Sequence, residues 1–222
     1  IRVDEVENDS YLVMVTRNGT IKRTALSAYR NVRKGGIIAI NLEEGDELAW
    51  VRNTTGEDDL IIATRQGVAI RFAESDVRPM GRTATGVRAI RLDEGDEVIA
   101  MATCEEGGYL LTVTENGQGR RTALGEYRTQ NRGGRGVRNY DCEGKGTLVA
   151  GVRVVGEEDD VILIADDGII IRIPCKQIAV QSRYGGGVHA MRLEEGSRVV
   201  ALARAPREED DENPDEGEDA EN

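Results

Sequence analysis

The chain has 222 residues with 27 glycines and three cysteines, and its formal net charge is −12. Its apolar residues are mostly Val, Ile and Leu, with one Phe and one Trp, the composition of short strands joined by many turns. No apolar run approaches the roughly 20 residues needed to cross a bilayer, no signal peptide opens the chain, and Cys104, Cys142 and Cys175 fit neither a disulfide framework nor a CxxC metal site, so a soluble cytoplasmic protein is expected.

Beyond residues 1–10 the chain runs through four similar units in succession. The first unit, 11–59, opens with YLVMVT, turns at Asn18-Gly19, and returns through TIKRTA. An Asn-Gly pair between two such strands is the strongest short-range hairpin signal. A long connection then leads to Gly36, which opens the predicted strand IIAINL; EEGDE turns at 43–47, and ELAWVR closes the unit. The second unit, 60–108, repeats this plan with LIIAT, Gln66-Gly67, Gly86, VRAIRL, DEGDE and EVIAMA. The third, 109–160, has YLLTVT, Asn116-Gly117, Gly136, the looser turn CEGKG and TLVAGVRV. The fourth, 161–206, has VILIA, Asp167-Gly168, Gly187, EEGS and SRVVALA. Arginine stands four residues after each first turn glycine, at 23, 71, 121 and 172. Four strands in about fifty residues predict an all-β, propeller-like array of blades; helical repeats would space their apolar residues at 3.6. On this register Ile1 falls opposite Trp50, inside a closing strand, so 1–10 reads as the end of a preceding blade. Residues 207–222 hold ten acids and one arginine, so most of the acidity is a tail expected to be disordered. Such a tail is expected to compete with any polyanion bound by the blades.

The connection in the third unit carries the chemistry. Between Arg120 and Arg138 lie six arginines (Arg120, Arg121, Arg128, Arg132, Arg135 and Arg138) against the single acid Glu126. Gly133, Gly134 and Gly136 let the backbone approach an anion closely, and arginine forks suit phosphate oxygens. The corresponding connections carry Arg30, Arg33 and Lys34; Arg78, Arg82 and Arg88; and Arg183 beside three glycines. Repetition around an array predicts that all four loops share one rim, forming a curved positive track for double-stranded DNA held by its backbone, with little base reading. Tyr29 and Tyr127 occupy a slot filled elsewhere by Val77 and Ile178, which marks a packing position and no nucleophile. His189 aligns with Arg88 and Arg138, as a rim residue. Glu43-Glu44 and Asp93-Glu94 recur at turns facing solvent, and no GxxxxGK phosphate loop is present. A propeller that recognises proteins would need aromatic hot spots, whereas aromatic residues make up only 4 % of the chain.

Residues Gln130-Asn131-Arg132-Gly133-Gly134-Arg135-Gly136 closely resemble the Q-R-R-G-G-K-G box of the DNA gyrase A subunits, with Asn131 and Arg135 as the departures. NGTIKRTAL, EEGDEL, SDVRPMG with TGVRAIRL, and NGQGRRTAL extend the resemblance from Tyr11 to Ala205. It implies a β-pinwheel, normally of six blades, in which adjacent blades exchange strands and the rim wraps DNA with positive handedness. It implies a role in ATP-dependent negative supercoiling, within a heterotetramer of A and B subunits on the chromosome. ATP and magnesium would serve that holoenzyme, and the DNA-cleaving tyrosine lies in the other half of the A subunit. The family's box usually sits in the first blade, so here DNA contact is carried over to this loop without indispensability for supercoiling. The resemblance extends to the C-terminal domain of topoisomerase IV, which lacks a recognisable box.

Overall fold

The computed structural model describes residues 10–30, 32, 34–104 and 108–205. The expectations for 1–9, 206–222 and Arg33 therefore lie outside the described residues. The first repeat supplies β1 (Tyr11–Thr16), β2 (Thr20–Ala25) and β3 (Leu48–Thr54). The second supplies β4 (Asp59–Thr64), β5 (Val68–Ala73), β6 (Val87–Arg88) and β7 (Val98–Thr103), and the third β8 (Tyr109–Thr114), β9 (Gln118–Ala123), β10 (Val137–Arg138) and β11 (Val149–Val155). The fourth supplies β12 (Asp160–Ala165), β13 (Ile170–Pro174), β14 (Val188–His189) and β15 (Val199–Ala205). CEGKG, expected as a turn, forms a short helix, α1 (Cys142–Lys145), whose N-cap Asp141 accepts from the Gly144 N–H.

All pairings between these strands are antiparallel, and each hairpin turns at the predicted glycine. Sheet orders are β3-β1-β2-β6, β10-β5-β4-β7 and β11-β8-β9-β14, with a three-stranded β13-β12-β15. Each four-stranded sheet is completed by a two-residue strand from the following repeat, the exchange that the resemblance implied. Those strands are far shorter than VRAIRL suggested, because Ala89 and Ile90 turn away to be buried after two residues. In the first repeat IIAINL is not a strand at all: among the described residues no sheet edge stands beside it, and Ile38 is exposed.

The closing strands β3, β7, β11 and β15 pack side by side and form the inner edge of the array. The core lies between sheets. Val13, Val15 and Ile21 of the first sheet meet Leu60, Ile62, Ile70 and Phe72 of the second, and comparable clusters fill the next two gaps. Central strands such as β1, β4 and β8 thus bury both faces and read as nearly continuous apolar runs. Val77, Tyr127 and Ile178 are buried, as the shared packing slot required, and Tyr29 is half-buried.

The cysteines are free thiols whose burial raises each to about 11 from the ordinary 9.0. Between those values the folded chain holds protons that the unfolded chain has lost, so this contribution is complete below pH 9 and declines as pH rises through 11. Burial lowers Lys22 to about 8, which acts in the opposite direction from pH 8 upward, one group against three. A denaturation midpoint that falls between pH 9 and 11 is expected; a rising midpoint would contradict this burial.

Candidate nucleic-acid interface

The exchanged strands sit on the outer edge of each four-stranded sheet, opposite the closing strands. Pleating turns Val87, Val137 and Val188 partly inward and leaves Arg88, Arg138 and His189 exposed. The connections before them run outside the second strands: Met80, Gln130 and Gln181 donate their N–H groups to Arg23, Arg71 and Arg121 carbonyls at 2.8 Å in each case. Consecutive loops also touch, with Asn41 N–H donating to Ala84 and Arg91 N–H to Gly134. The loops are therefore contiguous along the outer edge.

Sequence reasoning grouped eighteen residues as DNA contacts; Arg33 lies outside the described residues, and the structure sorts the other seventeen into three kinds. Arg30, Lys34, Arg78, Arg88, Arg128, Asn131, Arg135 and Arg138 are exposed on or beside this edge, and Gln130, Gly133, Gly134 and Gly136 shape the loop between them. Arg82, Arg132 and Arg183 form a second kind, half-buried braces. Each donates through Nη1 to the equivalent carbonyl of the preceding loop: Ile38 at 2.9 Å, Arg88 at 3.0 Å and Arg138 at 2.7 Å. Arg132 also donates to the Asp76 carbonyl.

Arg120 and Arg121 require correction. Arg120 is fully buried and Arg121 is 4 % exposed, so neither can reach a duplex on this edge. Arg121 donates to the Ile178 carbonyl at 2.7 Å and lies over the Tyr109 ring. Arg71 and Arg172 pair instead with Asp59 and Asp160, and Arg23 with Glu74. The fourth-position arginine thus bonds within its own fold at all four places: Arg23 and Arg121 are buried, Arg71 is half-buried, and Arg172 is exposed, and for Arg23 the buried Glu74 offsets the desolvation of its charge. Sequence reasoning missed exposed Arg91, Arg192 and Lys145. Lys145 stands beside Gly186 of the fourth loop, and its signal was the lysine inside CEGKG.

Charge compensation separates the outer edge from the hairpin end. There Arg17 pairs with Glu47 and Glu97, Arg65 with Glu97 and Glu115, and Arg198 with Asp166. The outer edge has little of this: Arg138 lies 3.9 Å from Asp141, and no ion pair involves Arg78, Arg88, Arg128 or Arg135 among the described residues. A chain that is acidic overall therefore presents one edge of uncompensated guanidinium groups.

The family described as "DNA gyrase C-terminal domain, beta-propeller" matches residues 10–55, 58–105, 108–155 and 159–206. The chain belongs to this family. It is 56 % identical over 216 residues to the DNA gyrase A subunit of Halalkalibacterium halodurans, covering 97 % of this chain and 26 % of that protein. It thus spans about a quarter of the length of the curated relatives it matches. Among solved structures, a C-terminal domain of DNA topoisomerase IV superposes with a TM-score of 0.87 at 28 % identity, covering 93 % of this chain and 65 % of that one. A DNA gyrase A C-terminal domain superposes with a TM-score of 0.80 at 26 % identity, covering 90 % and 67 %. The fold is the blade array of this family, with four repeats.

Proposed function

We propose that the chain binds duplex DNA by its phosphates along the outer edge and bends it, as the wrapping module of a gyrase A subunit. The observation that carries this reading is the run of contiguous loops in which Arg78, Arg88, Arg128 and Arg135 are exposed and have no carboxylate partner among the described residues, on an otherwise acidic protein. Guanidinium forks and glycine N–H groups suit phosphate oxygens, and no helix or ribbon among the described residues is offered to a groove, so binding is largely independent of base sequence. Loops on successive blades hold a duplex only if it curves, and the phosphate contacts must offset a bending cost of several kcal/mol. In the holoenzyme, with a B subunit that uses ATP and magnesium, this bend would deliver a DNA segment for negative supercoiling, in the cytoplasm on the chromosome.

The test is a salt titration of duplex binding. A log–log slope of about −0.9 per phosphate contact is expected, and a flat response would replace DNA by a protein partner. The second reading, a topoisomerase IV type of domain that binds without strong wrapping, is not favoured over this one, since the sequence relatives are gyrase A subunits. Trapping of positive writhe on a relaxed plasmid supports the gyrase reading, and binding without trapped writhe supports the other.

A further inference from the structure

Two kinds of junction alternate along the outer edge. Three residues after each hairpin glycine stand Lys22, Ile70, Arg120 and Ile171, and seven residues later Tyr29, Val77, Tyr127 and Ile178. The first and third blades therefore place a cation and a tyrosine where the second and fourth place two aliphatic residues. Both cations are fully buried, and both hold carbonyls of two different loops. Lys22 Nζ donates to Ala39 of its own loop and to Arg82 of the next. Arg120 donates to Asn139 of its own loop, and to Arg183 at 2.9 Å and Gly185 at 2.7 Å in the next. Ala39 and Asn139 are equivalent positions, and so are Arg82 and Arg183. The tyrosines complete each set: Tyr29 donates to the Ala39 carbonyl at 3.2 Å and Tyr127 to Asn139 Oδ1 at 2.5 Å.

The junction between the second and third blades is closed differently. Ala89, the equivalent of Ala39 and Asn139, accepts directly from the Gly133 N–H at 2.6 Å, while Ile70 fills the slot beneath Gly134. Gly133 has φ +79°, a conformation that Thr83 and Tyr184 at the same place do not adopt. A glycine contact and a buried cation are thus two solutions for one inward-facing carbonyl.

We propose that Lys22 and Arg120 are positioning residues that fix the register of consecutive rim loops and thereby set the path of the bound duplex without touching it. They hold the backbones of the bracing arginines Arg82 and Arg183, so the spacing of phosphate contacts across two of the three junctions depends on them. The proposal rests on the DNA-wrapping reading above.

The test compares the parent chain with Lys22→Met and Arg120→Met, which place an apolar residue where two blades already hold isoleucine. Binding to a duplex too short to span two blades is measured beside the linking-number shift trapped on a relaxed plasmid. Short-duplex affinity within about twofold of the parent, a trapped shift reduced at least about threefold, and recovery in Arg120→Lys are expected. Met variants that wrap like the parent would overturn the proposal. So would short-duplex affinity falling in step with wrapping, or an Arg120→Lys variant no better than Arg120→Met. If the Met variants do not fold, Lys22→Gln, one bond shorter and unable to span both carbonyls, takes their place. A folded variant with reduced wrapping and unchanged short-duplex affinity then supports the proposal, and parental wrapping overturns it. A parent chain that traps no shift fails the wrapping reading instead.

Discussion

Changing Arg128, Arg135 and Arg138 together to glutamine is expected to lower duplex affinity by about two orders of magnitude at 0.1 M salt and to flatten the log–log salt slope by about 2.7. All three are exposed; Arg128 and Arg135 have no carboxylate partner among the described residues, and Arg138 has only a distant one. Removing them releases no buried acid, so stability is expected to change little. Phosphates carry no sequence information, so AT-rich and GC-rich duplexes are expected to lose affinity equally. Arg198→Gln on the hairpin end is the matched control: its charge already faces Asp166, and an unchanged slope is expected. A triple variant with the parent's slope would remove this loop from the interface.

The second large effect falls on strand exchange. Gly136 opens β10 at φ +77°, and a Cβ there would lie 2.5 Å from the Ala69 carbonyl oxygen and 3.0 Å from Val68 Cγ1 on β5. Valine at this position meets both a backbone conformation that β-branched residues avoid and a strand that cannot move without breaking its own ladder. A loss of at least about 3 kcal/mol is expected, lowering the melting temperature by roughly 6–12 °C for a chain of this size. Gly125, with open space around it, is the control, and Gly125→Ala is expected to melt with the parent. Equal melting of the two variants would mean that β10 contributes nothing to the second sheet.

Local rules explain which features were legible in the sequence. Asn-Gly and Asp-Gly pairs fix hairpins through backbone preferences of two residues, so the repeat, the blades and the packing slot of Tyr127 and Val77 all come from spacing. The short exchanged strands were less legible, because their length depends on how far the chain travels before Ala89 and Ile90 are drawn into the core. The interface divided for a similar reason. Arg128, Arg135 and Arg138 are exposed by loop position and strand alternation. Arg120 and Arg121 sit on β9, whose faces are covered by neighbouring sheets and by the fourth loop. One sequence cannot distinguish an arginine reaching for phosphate from one satisfying carbonyls, since both need the same fork of donors. The recurrence of arginine four residues after a turn glycine, at 23, 71, 121 and 172 and whatever the charge of the adjoining loop, was the available hint of a structural role.

Completion of each sheet by the next repeat has a bearing on how such chains change over time. The second, third and fourth repeats export Gly-Val-Arg or Gly-Val-His toward the blade before them, and the first three accept that short strand from the blade after them. Any duplication or deletion cut at matching points keeps the same strand pairing at each seam, while the loop contacts beside it, which alternate between a buried cation and a glycine, depend on which copies become neighbours. A change in the number of blades therefore needs no new kind of strand pairing, and on the proposed reading the length of DNA engaged would change with it.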